Sequence, residues 1–170
     1  MDEAQKAEYA AFAGVRWPFL VRSAVLLGCS LHEAEDLAQT TLVRCFVKWR
    51  HVERADDPAA YTARILINLH RQAHRRRWRG EVPVDALPEA PQQAAPVGVV
   101  EAELVRKALG VLNPEQREVV VLRIHLQLSE RETAQALNVP NGTVKSRLSR
   151  ALARLAEDPG ILELHHGGEQ

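Results

Sequence analysis

The chain has 170 residues, 46% of them hydrophobic and 26% charged, and its 22 basic and 22 acidic side chains cancel to zero net charge. That length allows one domain or two small ones of roughly 70 residues each, and the neutral total excludes a uniformly basic coat for nucleic acid. The two cysteines, Cys29 and Cys45, are too few for a disulfide framework and read as small buried apolar residues.

In chain order, acids at Asp2, Glu3 and Glu8 come first, and the apolar stretch Val15–Leu27 is broken by Arg16 and Arg22. Neither a signal peptide nor a membrane span is expected, which points to the cytoplasm and argues against membrane insertion. Residues 5–28 predict one or two helices, with Pro18 as a kink or break. Ser30 is a good N-cap for a helix beginning LHEAED, whose acids suit the positive end of the helix dipole. After a short polar loop, RHVERADD, Asp57 caps a third helix with Pro58 at its first position. The segment Glu81–Gly98 carries four prolines and no helical period, so it predicts a flexible linker reaching at most ~60 Å. Four more helices follow, near 99–112, 114–127 (Asn113 as cap), 129–138 and 141–157. Ser129 and Glu132 form a capping box, and Asn138 tolerates the left-handed turn. A short capped helix, a tight turn at VPN and a longer basic helix make a helix-turn-helix pattern. The expected fold is therefore all-α: two small helical domains, 1–80 and 99–160, joined by the linker 81–98, the second domain being four-helical. A disordered tail, 161–170, holds His165 and His166.

Charge is distributed unevenly. From Arg64 to Arg79 there are six arginines, two histidines and no acid, and from Thr143 to Arg154 lie Lys145, Arg147, Arg150 and Arg154, again with no acid. Two separate basic patches in a neutral chain suggest contact with polyanion at two places. At 100° per residue from Thr143, the apolar Val144, Leu148, Ala151, Leu152 and Leu155 fall between about 80° and 180°. Thr143, Ser146, Arg147, Arg150 and Arg154 occupy the opposite arc, with Lys145 on the flank. Arginine can bind guanine bidentately in the major groove, while hydroxyls and lysine bind phosphate. The alternative is an ordinary amphipathic helix with a solvated basic face. His70 and His74 have the spacing of a metal pair, but no acid or cysteine nearby in sequence completes a site, so neither metal nor cofactor is expected.

The string LSERETAQALNVPNGTVKSRLSRALARL closely resembles the region of bacterial sigma factors of the extracytoplasmic-function group, in the sigma-70 family, that binds the minus-thirty-five promoter element. AEDLAQTTLVRCFVKW resembles that group's helix for binding core polymerase, and DPAAYTARILINLHRQAHRRRWR its region for melting and reading the minus-ten element. The resemblance covers nearly the whole chain, in the family's order. It implies an initiation factor, not an enzyme, with core RNA polymerase and promoter DNA as partners; helical faces in both domains could bind an anti-sigma factor, but no residue assigns one. By resemblance, Asp36, Leu37, Gln39, Thr40, Leu42, Val43 and Trp49 lie on or near the polymerase-docking surface, although Leu37 and Trp49 also suit a core. The chain departs from the family at Thr40 and Thr41, where an acid commonly follows the glutamine. The loop His51–Asp57, with Asp56 in it, and Arg64, Asn68, Arg71 and Arg75 correspond by resemblance to the minus-ten reader. Ser129, Arg131, Thr143, Lys145, Ser146, Arg147 and Arg150 correspond to the minus-thirty-five reader. Two rival readings remain at this point: a regulator that binds DNA by itself through its helix-turn-helix, and an interaction protein that sequesters a partner on its amphipathic helices.

Overall fold

The structure, a computed structural model, describes residues 2–80 and 98–158; the expected linker, apart from Gly98, and the expected tail lie outside the described residues. Among the described residues there are eight α-helices and no strand. Helix α1 (Glu3–Leu26) begins with a capping box in which the Asp2 carboxylate accepts from the Gln5 amide at 2.8 Å and Gln5 accepts from the Asp2 amide at 3.2 Å. Ser30 and Glu33 start α2 (Leu31–Val47) in the same reciprocal way. A single turn, α3 (Trp49–Val52), leads to α4 (Pro58–Trp78), where Asp57 accepts from the amides of Ala59 and Ala60 at 2.8 and 3.1 Å. Each box satisfies two amides that a helix start otherwise leaves unpaired.

The C-terminal half comprises α5 (Val99–Ala108), α6 (Pro114–Val120), α7 (Glu130–Leu137) and α8 (Asn141–Ala156). Asn113 with Gln116, and Ser129 with Glu132, form the capping boxes of α6 and α7. Asn138 closes α7 at φ 54°, ψ 51°, as its tolerance of the left-handed region leads one to expect.

Three expectations are corrected. Pro18 neither breaks nor divides α1, which runs on as one helix. The backbone bond lost at the proline is outweighed by the burial of Leu20, Val21 and Ala24 to Leu27 just beyond it. The polar loop after α2 is partly helical, because Trp49 and Val52 are buried against Tyr9 and Phe12. The helix expected over 114–127 changes pitch: after Val120 it widens into a π turn, Val121–His125, in which the Leu126 amide reaches back to the Val121 carbonyl at 2.9 Å.

The two halves share one buried cluster. Val21 and Val25 of α1, Ala38 of α2, Leu66 and Ile67 of α4, Val99 and Ala102 of α5, Val119 of α6, Leu137 of α7 and Val144 of α8 all belong to it. The seam is formed where α1 packs on α5 and α4 on α7. Two glycines mark close approaches across it. Gly28 has φ +109°, and a Cβ there would lie 2.8 Å from Arg117 Nη1; Gly98 has φ +82°, and a Cβ there would lie 2.7 Å from Arg22 Nη1. Cys29 and Cys45 are both buried, and burial pushes the Cys29 thiol up to about 11.

Candidate nucleic-acid interface

Helix α4 presents Arg64, Asn68, Arg71 and Arg75 at steps of three and four, the spacing that keeps side chains on one side of a helix. Its opposite side is held in the core by Ala63, Leu66 and Ile67. Arg64, Asn68 and Arg75 are exposed, as are His51 and Asp56 at the approach to the helix. Arg71 differs. Its guanidinium forks onto Glu118 of α6, with Nε–Oε1 at 2.9 Å and Nη2–Oε2 at 2.6 Å, and its Nη1 donates to the Leu137 carbonyl at 2.9 Å. Farther along, Arg77 pairs with Glu33, while Trp78 is 87% exposed. Tyr61 is half-buried against the Trp49 cluster.

His70 sits beside this seam with its Nδ1 buried and unpartnered. Burial holds its pKa below the usual value; Glu118 opposes that shift, and His74, Arg77 and Arg71 add to it. Among the described residues no three histidine, cysteine or acidic side chains come together as metal ligands.

Helix α8 buries Val144 and Ala151, with Leu148 and Leu155 half-buried on the same side. The angular expectation holds for those four and fails at two positions. Leu152 is 46% exposed, whereas the Arg147 side chain is only 17% exposed and lies 2.9 Å from Glu115 of α6. The buried face is thus rotated toward Arg147, because α8 rests on α6 and α6 offers a carboxylate there. Lys145 and Arg150 are exposed, Thr143 and Ser146 half-buried, and the Ser146 hydroxyl donates to the Thr143 carbonyl at 3.1 Å. On α7, Arg131 is exposed, while the Ser129 hydroxyl is engaged with Glu132 in the cap.

On α2, Asp36, Gln39, Thr40 and Val43 are exposed, and Leu37 is half-buried against the core. Leu42 and Trp49, at 7% and 6% exposure, are core residues and present no docking surface. The outward face continues instead through Phe46 and Val47, 43% and 76% exposed. Neither was singled out from the sequence, although Val47 follows Thr40 and Val43 at helical spacing. An apolar patch beside exposed polar groups on one helix is the usual form of a protein-docking face.

Residues 17–80 match the family described as Sigma-70 region 2, and residues 102–155 match Sigma-70, region 4. The chain is similar to the RNA polymerase sigma-E factor of Streptomyces coelicolor, with 42% identity over 151 residues covering 89% of this chain and 85% of that protein. It is also similar to the ECF RNA polymerase sigma factor ShbA of Streptomyces griseus, 32% identical over 142 residues, 76% of this chain and 73% of that one. Among solved structures, the sigma factor RpoE of Bartonella quintana, in complex with the anti-sigma factor NepR, superimposes with a TM-score of 0.71 at 28% identity, covering 92% of this chain and 97% of that chain.

Proposed function

The chain belongs to the sigma-70 family of RNA polymerase sigma factors, in its extracytoplasmic-function group, and from that premise we propose which of its residues do which part of the work. The protein is a transcription initiation factor whose partners are core RNA polymerase and promoter DNA. It acts by binding and carries out no catalysis of its own, and its place of action is that of the polymerase, the cytoplasm.

In this proposal residues 1–80 dock on the polymerase and engage the minus-ten element, and residues 99–160 engage the minus-thirty-five element. Asp36, Leu37, Gln39, Thr40 and Val43, extended by Phe46 and Val47, form the docking face. His51, Asp56, Arg64, Asn68, Arg71 and Arg75 face the opened minus-ten strand. Extruding a base costs a few kcal/mol, recovered by pocket contacts and by the phosphate contacts of the arginines. Ser129, Arg131, Thr143, Lys145, Ser146, Arg147 and Arg150 serve the upstream element. The Bartonella relative was solved with an anti-sigma factor, and we propose that this chain has such a partner too.

The observation that carries the reading is the coexistence of two cationic stripes, on α4 and α8, with an exposed apolar patch on α2. A stand-alone DNA-binding regulator needs one such stripe and no such patch. Run-off transcription with core polymerase, with and without the chain, tests it: promoter-dependent transcript is expected only with the chain present. Tight autonomous binding to duplex DNA without any such transcript would favour the stand-alone regulator.

A further inference from the structure

Trp78 is the last residue of α4, and its side chain is 87% exposed. Among the described residues no ring contact or cation–π contact involves it. Trp49, by contrast, is 6% exposed and stands edge-on to Tyr9. The Trp78 indole therefore adds nothing to the core and leaves a large flat apolar face in water. Its place on the helix gives that face a direction. At 100° per residue, Arg64, Asn68, Arg71, Arg75 and Trp78 all fall within about 40° of one line, so the ring continues the cationic stripe past Arg75. No acid occurs between Pro58 and Gly80, and Arg75 and Arg76 are exposed beside the ring. Such a surface attracts polyanion, and the indole supplies what charge alone lacks: a face on which an unpaired base can stack.

We propose that Trp78 is a stacking platform for one unpaired base of the opened promoter strand, a contact separate from that of the His51–Asp57 loop. This rests on the function proposed above and adds a residue to that same site. Every base has a π face, so the contact holds the strand without reading its sequence. Arg75, one turn earlier on the same side, meets the phosphate beside the stacked base. Trp78 stands ten residues beyond Asn68, which is ~15 Å along the helix axis. That equals roughly four or five steps of about 3.4 Å along a stacked strand, so the two side chains engage different nucleotides. Bases inside a duplex are covered by their neighbours and offer the ring no free face. Trp78 therefore binds only strand that has come apart, and it favours the open state over the paired one.

The test uses holoenzyme assembled from core polymerase and the full chain as wild type, Trp78→Ala, Trp78→Phe or Asn68→Ala. The probe is a fluorescently labelled fork made from a promoter that the wild-type holoenzyme transcribes. Its non-template strand is unpaired across the minus-ten element, and one nucleotide at a time is made abasic. Circular dichroism of each chain is expected to show unchanged helix content. Trp78→Ala should bind the intact fork roughly tenfold more weakly, about 1.4 kcal/mol, within the range of base–aromatic stacking. Trp78→Phe, which keeps a smaller ring, should recover most of that loss. One abasic position should weaken wild type roughly tenfold and leave Trp78→Ala unchanged. It should lie roughly four or five nucleotides from the position whose effect disappears in Asn68→Ala. Wild-type transcription with Trp78→Ala binding the fork as tightly as wild type overturns the stacking contact and leaves the function standing. A loss in Trp78→Ala that is the same at every abasic position also overturns it, because the ring would then act on the backbone and not on a base. Reduced helix content in Trp78→Ala overturns it too, since the indole would then be structural. If the wild-type chain gives no promoter-dependent transcript from any promoter, the function itself fails, and the role of Trp78 fails with it.

Discussion

Arg147 of α8 lies 2.9 Å from Glu115 of α6, with its Nη1 buried and unpartnered. The foremost candidate for reading the upstream element is thus turned inward in the free chain. Glu115 is 62% exposed, so solvent screens the pair and releasing Arg147 costs at most about 1 kcal/mol. Arg147→Ala is expected to weaken binding of the polymerase complex to the minus-thirty-five element by about 1–3 kcal/mol and to relax preference at one base pair. Glu115→Gln should change the same affinity by less than about 1 kcal/mol. Competition binding with base-substituted promoters measures both, and unchanged preference in Arg147→Ala would refute the assignment.

Val47 is 76% exposed and has little packing to lose. Val47→Glu should leave thermal stability within about 0.5 kcal/mol. On a docking face, the same charge should weaken binding to core polymerase roughly tenfold, about 1.4 kcal/mol. Titration of fluorescently labelled chain with core polymerase distinguishes this patch from an ordinary surface valine, whose replacement would leave that affinity unaltered.

His70 and His125 predict a pH dependence. Burial lowers both pKa values from 6.5; Glu118 opposes the shift at His70, where His74, Arg77 and Arg71 add to it, and Arg22 adds to it at His125. A histidine depressed in the folded state contributes stability above its unfolded value and loses it as pH falls through the folded one, because the unfolded chain takes up the proton first. Stability should therefore fall as pH is lowered from 6.5. Glu33 acts in a separate window. Burial raises its pKa, but its bonds to Ser30 and the nearby Arg77 outweigh that and leave it below 4.5, so its contribution disappears only in stronger acid. Thermal melts of a His70→Gln, His125→Gln chain should show a flatter slope below pH 6.5 than wild type; an identical slope would exclude these two groups as the cause.

Gly28→Ala combines a strained backbone, φ +109°, with a Cβ 2.8 Å from the Arg117 guanidinium. The expected loss is about 1–3 kcal/mol in urea unfolding. Gly110→Ala serves as the control, since nothing lies within 4 Å of a Cβ there and no positive φ is required. Equal effects at the two positions would contradict the close approach across the seam.

What was legible in the sequence was local. Ser30, Asp57 with Pro58, Asn113 with Pro114, and Ser129 with Glu132 fix helix starts through contacts within three residues, so their spelling is enough. The side of α8 that packs was legible only to within the width of a turn, since Leu152 and Arg147 are sorted by what α6 offers and not by their own hydrophobicity. Pro18 misled for a similar reason, as its cost is local and the burial beyond it is tertiary. Glu115 and Glu118 carried no signal. Two glutamates near the start of a helix read as solvated, and only the approach of α4 and α8 gives them arginines.

The buried cluster shared by the two halves also has a consequence for how strongly they must attract each other. Gly80 and Gly98 are covalently joined through residues 81–97, and a tether of that length keeps its two ends at an effective concentration on the order of a millimolar. An interface too weak to assemble two separate chains is then enough to close one. Severing the tether between the halves would remove that advantage, and the same residues that close the intact protein would leave two fragments dissociated at micromolar concentration.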